Sequence, residues 1–377
     1  MRYLIFTNTP AHVHLYKHAV RALERRGHEV CVFARDYGCT VDLVEFYDLP
    51  HVVYGVCDTS KWSLVRRLPG HYVRAIREAR RFDPDLIVGM GGYAAHTGAV
   101  TRTSVVLLID SEPTPLDHAV STPFARTVLT PDTFRTELCD RHYVFPGLKE
   151  CAYLHPEVFE PDPSVRDRLG VSRDEPFVIV RLNAFGSHHD VGKAGFTGAR
   201  RRQLLETLSE YATVFVSDEG DDLDFENVPA RPFSLHPALL HDALAEADLL
   251  VADTQTMVTE AALLATPAVR SNSFVGEDDM GNFLELERRG LIANVATFED
   301  VVDRATTILQ SAEIVETITR RRDAFVAETV NLTDLIIELV ERGGDPSAHP
   351  ALDRFGAGST PDRHTSADEQ APPISTE

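Results

Sequence analysis

Short apolar runs alternate with amphipathic stretches along most of the chain, and this alternation limits the fold more than any other feature. In the first half, apolar runs such as Tyr3–Thr7 are separated by helical patterns such as Val13–Arg26 and Leu64–Arg81. Alternating strands and helices predict a mostly parallel, doubly wound sheet. The strands of this half are predicted at Tyr3–Thr7, Glu29–Ala34, Leu86–Gly89, Val105–Ile109 and Thr127–Thr130.

A second series of the same kind follows a proline-rich break at Leu154–Pro163. Because 377 residues exceed one ordinary hydrophobic core, we interpret this break as a linker between two domains. The N-terminal domain is placed at residues 1–155 and the C-terminal domain at residues 164–342, with the helical stretch Ala312–Arg342 crossing back to the first domain. The strands of the second half are predicted at Phe177–Arg181, Val214–Ser217, Leu249–Ala252 and Ala268–Arg270.

The ends of the chain and its apolar content indicate the cellular setting. No run of about 18 apolar residues occurs, so no membrane-spanning helix is expected. The start, Met1–Thr7, lacks the basic-then-apolar layout of a signal peptide, so a cytoplasmic protein is expected. Residues 343–377 are rich in Gly, Pro, Ser, Thr and Asp, and we expect them to form a disordered, dispensable tail.

Charge and cysteine content exclude several classes of ligand. A net charge of −21 argues against nucleic acid or an anionic membrane as a partner, and it suits a halophilic protein, because salt screens the mutual repulsion of carboxylates. The five cysteines are odd in number and none lies in a CxxC pair. This favours reduced thiols over a disulfide framework or a zinc site.

The loop after the first strand contains the sequence Thr9-Pro10-Ala11-His12 and opens the first helix. Unpaired N–H groups at a helix N-terminus bind anions readily. His12 would add a titratable group at the carboxyl end of the sheet, where ligands bind in open α/β folds. An ordinary capping turn with a surface histidine explains the same residues equally well.

Two further loops of the first half follow strands. Gly91 and Gly92 lie in a glycine-rich turn that would let the backbone approach a ligand closely, although a turn that needs positive φ is the simpler explanation. Asp110 and Glu112 follow the next strand, and two neighbouring carboxylates can divide acid and base work. For Asp110, capping of the next helix is at least as good an explanation.

The first loop of the second half contains two adjacent histidines, His188 and His189. Adjacent side chains point in different directions in any regular element, so a polar ligand-facing loop is favoured over a metal site. Arg181, at the end of the preceding strand, could supply positive charge to a diphosphate, as could Lys193.

The segment from Asp253 to Ala261 is the most informative, because a strand ends, hydroxyl and amide groups follow, and a helix begins. Such a helix N-terminus can hold a phosphate group. Glu260 lies one turn into the helix, where a carboxylate could accept two ribose hydroxyls. An ordinary helix with a loose capping box from Thr256 to Glu260 is the competing explanation. The predicted phosphate-binding residues are Asp253, Thr254, Gln255 and Thr256.

Together these motifs resemble those of a known superfamily. The glycine turn resembles the acceptor-side loop of the N-acetylglucosaminyltransferase that forms lipid II, and Thr9–Val13 resembles that enzyme's Thr-Gly-Gly-His-Val loop, with Pro10 and Ala11 in place of both glycines. Asp253–Ala261 is similar to the Asp-Ser-Gly-Gly-x-x-Glu-Glu-Ala segment of UDP-N-acetylglucosamine 2-epimerases. In that segment the glutamate equivalent to Glu260 binds the ribose.

From Met1 to about Arg342 the chain resembles an uncharacterised prokaryotic family, domain-of-unknown-function family 354, of the GT-B superfamily. The resemblance implies a GT-B-like α/β fold, with two Rossmann-like doubly wound domains facing each other across a cleft. The second domain would hold a nucleotide sugar and the first an acceptor. The features that carry the resemblance are Thr9–His14, Leu129–Pro131, Tyr153–Pro156 and the loop that ends at His188–Gly192.

Three functions are compatible with this resemblance. The first is a metal-independent glycosyltransferase of surface glycan or glycoconjugate synthesis, which uses a UDP-sugar and a lipid-linked glycan acceptor, with His12 or Glu112 as the base. The second is a sugar-nucleotide 2-epimerase or hydrolase that uses Asp110, Glu112 and His188 or His189, although Asn183–Asp190 replaces the epimerases' His-Arg-Arg-Glu type of loop. The third is a non-catalytic nucleotide-sugar binding protein. None needs a metal cofactor, and a homodimer is compatible with each.

Overall fold

The structure is a computed structural model that describes residues 1–57, 61–182, 198–218, 223–271, 275–276, 279–347 and 349–356, with side chains described for all of these except residues 61–65. The described chain divides into two compact units. The first contains residues 1–159 and 328–356, and the second contains residues 160–327. The boundary between Phe159 and Glu160 lies inside the proline-rich segment of the sequence.

Two sheets form the centres of the two units. The strands, in chain order, are β1 (Arg2–Thr7), β2 (Glu29–Asp36), β3 (His51–Val56), β4 (Leu86–Gly89), β5 (Ser104–Leu108), β6 (Thr127–Pro131), β7 (His142–Phe145), β8 (Phe177–Leu182), β9 (Thr213–Asp218), β10 (Arg231–Pro232), β11 (Leu249–Ala252), β12 (Ala268–Arg270), β13 (Ala293–Asn294) and β14 (Asp353–Arg354).

Helices cover the sheets. In chain order they are α1 (Pro10–Arg25), α2 (Thr40–Phe46), α3 (Lys61–Phe82), α4 (Gly92–Thr101), α5 (Pro115–Ser121), α6 (Cys151–Leu154), α7 (Val165–Leu169), α8 (Gly198–Ser209), α9 (Leu240–Glu246), α10 (Thr256–Leu263), α11 (Gly281–Arg288), α12 (Phe298–Leu309), α13 (Ala312–Ala327) and α14 (Leu332–Glu341).

The two sheets share one strand order over six strands, and the first sheet continues with two more. The first is β3-β2-β1-β4-β5-β6-β7-β14 and the second is β10-β9-β8-β11-β12-β13. All pairs are parallel except β14, which runs antiparallel to β7. This is the doubly wound Rossmann order, with β1 and β8 as the first strands. The prediction of two doubly wound sheets is therefore confirmed.

The burial of the strands explains why the sequence pattern predicted most of them. Strands with helices on both faces are buried on both faces, so they are continuous apolar runs. Leu4 and Phe6 of β1 and Val178 and Val180 of β8 are fully buried. The strands that the sequence pattern missed, β3, β7, β10, β13 and β14, lie at or next to sheet edges, and three of them have two residues each.

The predicted disordered tail is wrong for its first part. β14 extends the first sheet, and the Phe355 ring stacks on His142 with centroids 4.5 Å apart. The Thr127 hydroxyl donates to the Gly344 carbonyl at 2.6 Å. Composition did not reveal this, because a two-residue antiparallel strand has no apolar periodicity. Residues 357–377 lie outside the described chain.

The helical stretch predicted at Ala312–Arg342 is two helices. α13 ends at Ala327, the last residue of the second unit, and α14 belongs to the first unit. Asn331 caps α14, since its side-chain oxygen accepts from the Thr333 amide at 3.1 Å. The chain therefore returns to the first unit through the turn between the two helices.

Candidate functional site

Each sheet has a topological switch point at its carboxyl edge, where ligands bind in doubly wound folds. In the first unit it lies between β1 and β4, and in the second between β8 and β11. The loops there are Asn8–Thr9 and Met90–Gly91 in the first unit and Asp253–Gln255 in the second. Most of the site residues predicted from sequence border one of these two points.

His12 closes the N-terminus of α1. Thr9 is the N-cap residue but its side chain makes no capping bond, and Pro10 occupies the first helical position. The Asn8 amide instead donates to His12 Nδ1 at 3.1 Å, which resembles a capping box with histidine as the acceptor. In a neutral imidazole that accepts at Nδ1, the proton is on Nε2. His12 therefore links the first turn of α1 to the residue before its N-cap, and Nε2–H remains as a donor.

The His12 ring is neutral over the physiological range. Burial is the main cause, and it lowers the pKa of His12 to about 4, with Lys149 and Arg35 adding to the effect and Asp110 opposing it. The ring is thus neutral mainly because water is excluded from around it. A neutral imidazole can donate and accept one hydrogen bond each.

Asp110 forms an ion pair with Lys149, a residue that sequence reasoning did not select. The Lys149 ammonium also lies 3.2 Å from Glu150 Oε1, and the Glu150 side chain is 4% exposed. Burial alone would raise the pKa of Asp110, but Lys149 outweighs it and the pKa is lowered. Asp110 does not cap a helix, because α5 begins at Pro115 with Thr114 as its N-cap. Asp110 is thus held ionised near His12.

Tyr16 completes this group from one turn further along α1. Its side chain is fully buried, and its hydroxyl has no hydrogen-bond partner among the described residues. Burial and the negative charge of Asp110 both raise the pKa of Tyr16, so the phenol is protonated. The first unit therefore brings together an ionised carboxylate, a neutral imidazole and a buried phenol.

Asn8 connects the two loops of the first switch point. Its side-chain amide donates to the Met90 carbonyl at 3.1 Å, and its side-chain oxygen accepts from the Tyr54 hydroxyl at 2.8 Å. Arg35 Nε donates to the Asn8 carbonyl at 3.0 Å. These bonds fix the loop that carries His12. Sequence reasoning missed Asn8 because its partners are distant in the chain.

Gly91 and Gly92 have a structural explanation. Gly91 has φ of +71°, and a Cβ there would lie 2.6 Å from Asp117 Oδ2. The Gly92 amide donates to Asp117 Oδ1 at 3.3 Å. A carboxylate of the chain itself therefore occupies the N-terminus of α4, which favours the turn explanation over ligand binding.

Glu112 is engaged elsewhere. Its Oε1 accepts from the Arg135 amide at 2.7 Å and lies 3.6 Å from Arg135 Nε. Glu112 and Asp110 therefore have different cationic partners. The structure groups Asp110, but not Glu112, with His12.

The second switch point is formed by the loop between β11 and α10. Asp253 is 4% exposed, and its amide donates to the Arg181 carbonyl at 3.3 Å. Arg181 is also bonded to the Ser217 hydroxyl at 2.5 Å. The Thr254 hydroxyl is buried without a partner among the described residues. Gln255 is the N-cap of α10 and makes no side-chain capping bond.

Glu260 lies on the second turn of α10 and is 3% exposed. Its Oε1 is 3.0 Å from Nε2 of His241 on α9, which is also buried. Gln255 is the N-cap of α10 and Thr256 its first residue, so the capping box predicted from Thr256 to Glu260 does not form. His241 was missed because it lies 19 residues earlier in the chain.

Next to this loop, Arg270 is fully buried. Arg270 is the register partner of Ala252, and its guanidinium binds Asp279 at 2.5 Å and 3.2 Å. It also lies 3.7 Å from the centroid of the Phe283 ring. A paired and fully buried arginine of this kind holds α11 against the sheet.

Several predictions concern residues outside the described chain. His188, His189, Lys193 and the loop Asn183–Asp190 belong to the segment 183–197, which is not described. Within the described part of the chain, no group of three His, Cys, Asp or Glu residues is placed to hold a metal ion. No described helix is long and apolar enough to cross a membrane.

Comparisons with known proteins establish the fold. No family model matches the chain. It is 21% identical over 290 residues to the uncharacterised protein MJ0665 of Methanocaldococcus jannaschii, which covers 70% of this chain and 79% of the relative.

Solved structures align over nearly the whole chain. The spinosyn forosaminyltransferase SpnP has a TM-score of 0.63 at 14% identity, with 92% of this chain and 100% of that chain covered. MnaA of S. aureus, solved with UDP, has a TM-score of 0.65 at 10% identity, with 91% and 96% covered. The UDP-GlcNAc 2-epimerase of Neisseria meningitidis, bound to UDP-GlcNAc, has a TM-score of 0.62 at 11% identity, with 91% and 100% covered. The chain therefore has a GT-B-like fold with two Rossmann-like domains, as predicted.

Proposed function

We propose that this chain is a metal-independent glycosyltransferase that takes its sugar from a nucleotide-sugar donor, with a UDP-sugar as the first choice. The observation that carries the proposal is the polar loop Asp253–Gln255 at the second switch point, where the buried Thr254 hydroxyl lacks a partner among the described residues and α10 begins. A diphosphate at a helix N-terminus would meet such groups. We also propose that the enzyme is cytoplasmic, that it acts in surface glycan or glycoconjugate synthesis, and that its acceptor is lipid-linked.

In this proposal the second unit binds the nucleotide. Asp253, Thr254, Gln255 and Thr256 contact the diphosphate, and Arg181 adds positive charge. Glu260 accepts the ribose hydroxyls, with His241 orienting its carboxylate at 3.0 Å. A helix dipole and a basic side chain can stabilise a leaving diphosphate, so this reaction would need no metal ion.

In the first unit His12 acts in the chemical step. As a base it would accept the acceptor's proton on Nε2, which requires the tautomer with the proton on Nδ1. The Asn8 amide bond to Nδ1 opposes that tautomer, so the ring must leave Asn8 when the substrates bind. The ionised Asp110 would then stabilise the imidazolium that forms. Glu112 is the competing base, and Gly91 and Gly92 would line the acceptor side.

An epimerase or hydrolase is the second candidate, because MnaA and the Neisseria epimerase share this fold over 91% of the chain. A thermal-shift screen of nucleotide sugars would first identify the ligand. Turnover is then measured with and without an acceptor. Acceptor-dependent release of nucleoside diphosphate supports transfer, whereas exchange at C2 without an acceptor supports epimerisation. Binding without turnover would leave a non-catalytic nucleotide-sugar binding protein.

A further inference from the structure

Three helices form a layer on one face of the first sheet. α4 packs against both α3 and α5, and the buried side chains of α3 and α4 share one hydrophobic core with the strands. His96 of α4 links the three helices, because its Nδ1 lies 2.7 Å from the Tyr72 hydroxyl of α3 and its Nε2 lies 2.8 Å from the Val120 carbonyl of α5. The Phe124 ring, in the turn after α5, meets the His96 ring edge-on with centroids 5.4 Å apart. We call the solvent-exposed side of α3, α4, α5 and this turn the helical face.

The helical face is unusually apolar. Ten large hydrophobic residues of the described chain are exposed, and five of them lie on this face, namely Val73, Val100, Leu116, Val120 and Phe124. Leu116 is 77% exposed and Val73 is 67% exposed, which are the highest values of the ten. Single exposed apolar side chains are ordinary, but a group of them on adjoining helices indicates a binding surface.

The helical face is also basic, in contrast to the rest of the chain. α3 contains seven Lys or Arg residues and one acidic residue, whereas the whole chain has 37 basic and 58 acidic residues. The acidic residue, Glu78, is shared between Arg77 and Arg81, so one carboxylate serves two arginines. Charges at a surface act over about 10 Å at ordinary ionic strength, so a partner at this face meets the local charge more than the net charge of −21. The argument from net charge against an anionic membrane therefore does not hold for the helical face.

The combination of positive charge and exposed apolar groups selects the class of partner. Duplex nucleic acid is held mainly by positive charge at its phosphates, and single strands stack their bases on aromatic rings. Neither needs aliphatic side chains, yet four of the five exposed apolar residues here are Val or Leu. The interface of an anionic bilayer matches both features, because headgroups attract arginines and the acyl boundary accepts apolar side chains.

We propose that the helical face docks the protein on a membrane surface that contains anionic lipids. The exposed arginines of α3 contact the headgroups, and Leu116, Val120 and Phe124 enter the boundary between headgroups and acyl chains. The face borders the first switch point, because Asp117 of α5 accepts from the Gly92 amide at 3.3 Å. A lipid-linked acceptor would therefore reach the glycine turn from the membrane. Docking rests on the helical face alone and does not require the transferase reaction.

Sedimentation of the full chain with vesicles tests the docking. The vesicles are phosphatidylcholine alone and an equimolar mixture of phosphatidylcholine and phosphatidylglycerol. At about 0.1 M salt we expect binding to the mixed vesicles, weaker binding as the salt concentration rises, and none to phosphatidylcholine alone. The net charge of the chain predicts repulsion from the mixed vesicles, so binding to them supports a local basic face. Absence of binding to the mixed vesicles overturns the proposal.

Charge variants locate the contact on α3. Arg74→Gln with Arg80→Gln should weaken binding to the mixed vesicles by roughly tenfold or more, because each arginine near an anionic surface contributes roughly fivefold. Both side chains are exposed, so the fold should be kept. The matched control is Arg168→Gln with Arg173→Gln, which removes the same charge from exposed positions of the second unit and should leave binding within about twofold. Equal weakening by both pairs would show that binding follows net charge and would overturn the proposal.

Apolar variants distinguish a membrane from other partners. Leu116→Ser with Val120→Ser should weaken vesicle binding by roughly tenfold, because less apolar surface leaves water. The control pair Phe46→Ser and Val315→Ser, exposed elsewhere, should have little effect. Unchanged binding in the α5 pair overturns the proposal. So does duplex DNA bound with the same arginine dependence as the vesicles, or a dimer in sedimentation velocity that the α5 pair dissociates, since these would assign the face to a polyanion or to a second copy of the chain.

Discussion

The two switch points have the same strand order but are assembled in different ways. In the first unit, His12, Asp110 and Lys149 come from three distant segments, and Lys149 bridges two carboxylates. In the second unit, the loop and Glu260 lie within eight consecutive residues, and only His241 comes from elsewhere. The first point is thus a charged, buried cluster, while the second is a contiguous strand–loop–helix motif. The comparison suggests that the first is the more sensitive to single substitutions.

The largest effect is expected from Lys149→Met. This change leaves Asp110 and Glu150 without their cation in a mostly buried setting, and removal of one partner of a buried ion pair costs roughly 3–5 kcal/mol. The free energy of unfolding, measured by denaturant titration, should fall by an amount towards the lower end of that range, because Asp110 retains some exposure. Lys149→Arg keeps the charge and should recover most of the loss. Equal stability of Lys149→Met and the wild type would show that the cluster does not stabilise the first unit.

The next largest effect is expected on turnover. His12→Asn and His12→Ala should lower the maximal rate by roughly a hundredfold or more while nucleotide affinity stays within a few-fold, because a general base acts in the transition state. Rates and affinities with the true acceptor check this. Glu112→Gln is the matched control and should stay near wild type. If the His12 variants turn over normally and Glu112→Gln turns over slowly, Glu112 and not His12 is the base.

A smaller effect is expected at the second switch point. Glu260→Gln keeps a hydrogen-bond acceptor for His241 but loses the charge, so nucleoside-diphosphate affinity should fall by roughly tenfold. Glu260→Ala should also lower stability, by about 1–3 kcal/mol, because it leaves a buried imidazole without its partner. Calorimetry with UDP and a melting curve of each variant separate the two effects. Full UDP affinity in Glu260→Gln would remove Glu260 from the ribose site.

The most gradual effect is expected from acid. The pKa values of His12, His18 and His142 are each lowered to about 4, mainly by burial, and all three residues lie in the first unit. Between pH 6.5 and 4 the unfolded chain binds protons at these rings and the folded chain does not, so stability falls as the pH falls through that window.

Hydrogen exchange at pH 7 and pH 4.5, resolved by peptide, should locate this loss in the first unit. His142→Gln should reduce the pH dependence, because it removes one of the three titrating rings. Greater acid sensitivity in residues 160–327 would reverse the comparison between the two units.

The sequence by itself determined the architecture. Apolar runs of β1 and β8 and the amphipathic period of α1 are local patterns, and burial on both faces of a parallel sheet forces them on the chain. The loop Asp253–Gln255 and its place before α10 could be predicted for the same reason, since strand, loop and helix are contiguous. The sequence could not decide between a structural and a ligand-binding role for Gly91 or Asp110. Each role depended on a partner elsewhere in the chain.

Tertiary structure decided the contacts of the candidate sites. Lys149 meets Asp110 across 39 residues, His241 meets Glu260 across 19, and Asn8 reaches Met90 across 82. An ion pair or hydrogen bond depends on distances of a few ångströms, and no local periodicity encodes such distances between segments that only the folded sheet brings together. The same holds for β14, because its two residues become a strand only beside β7.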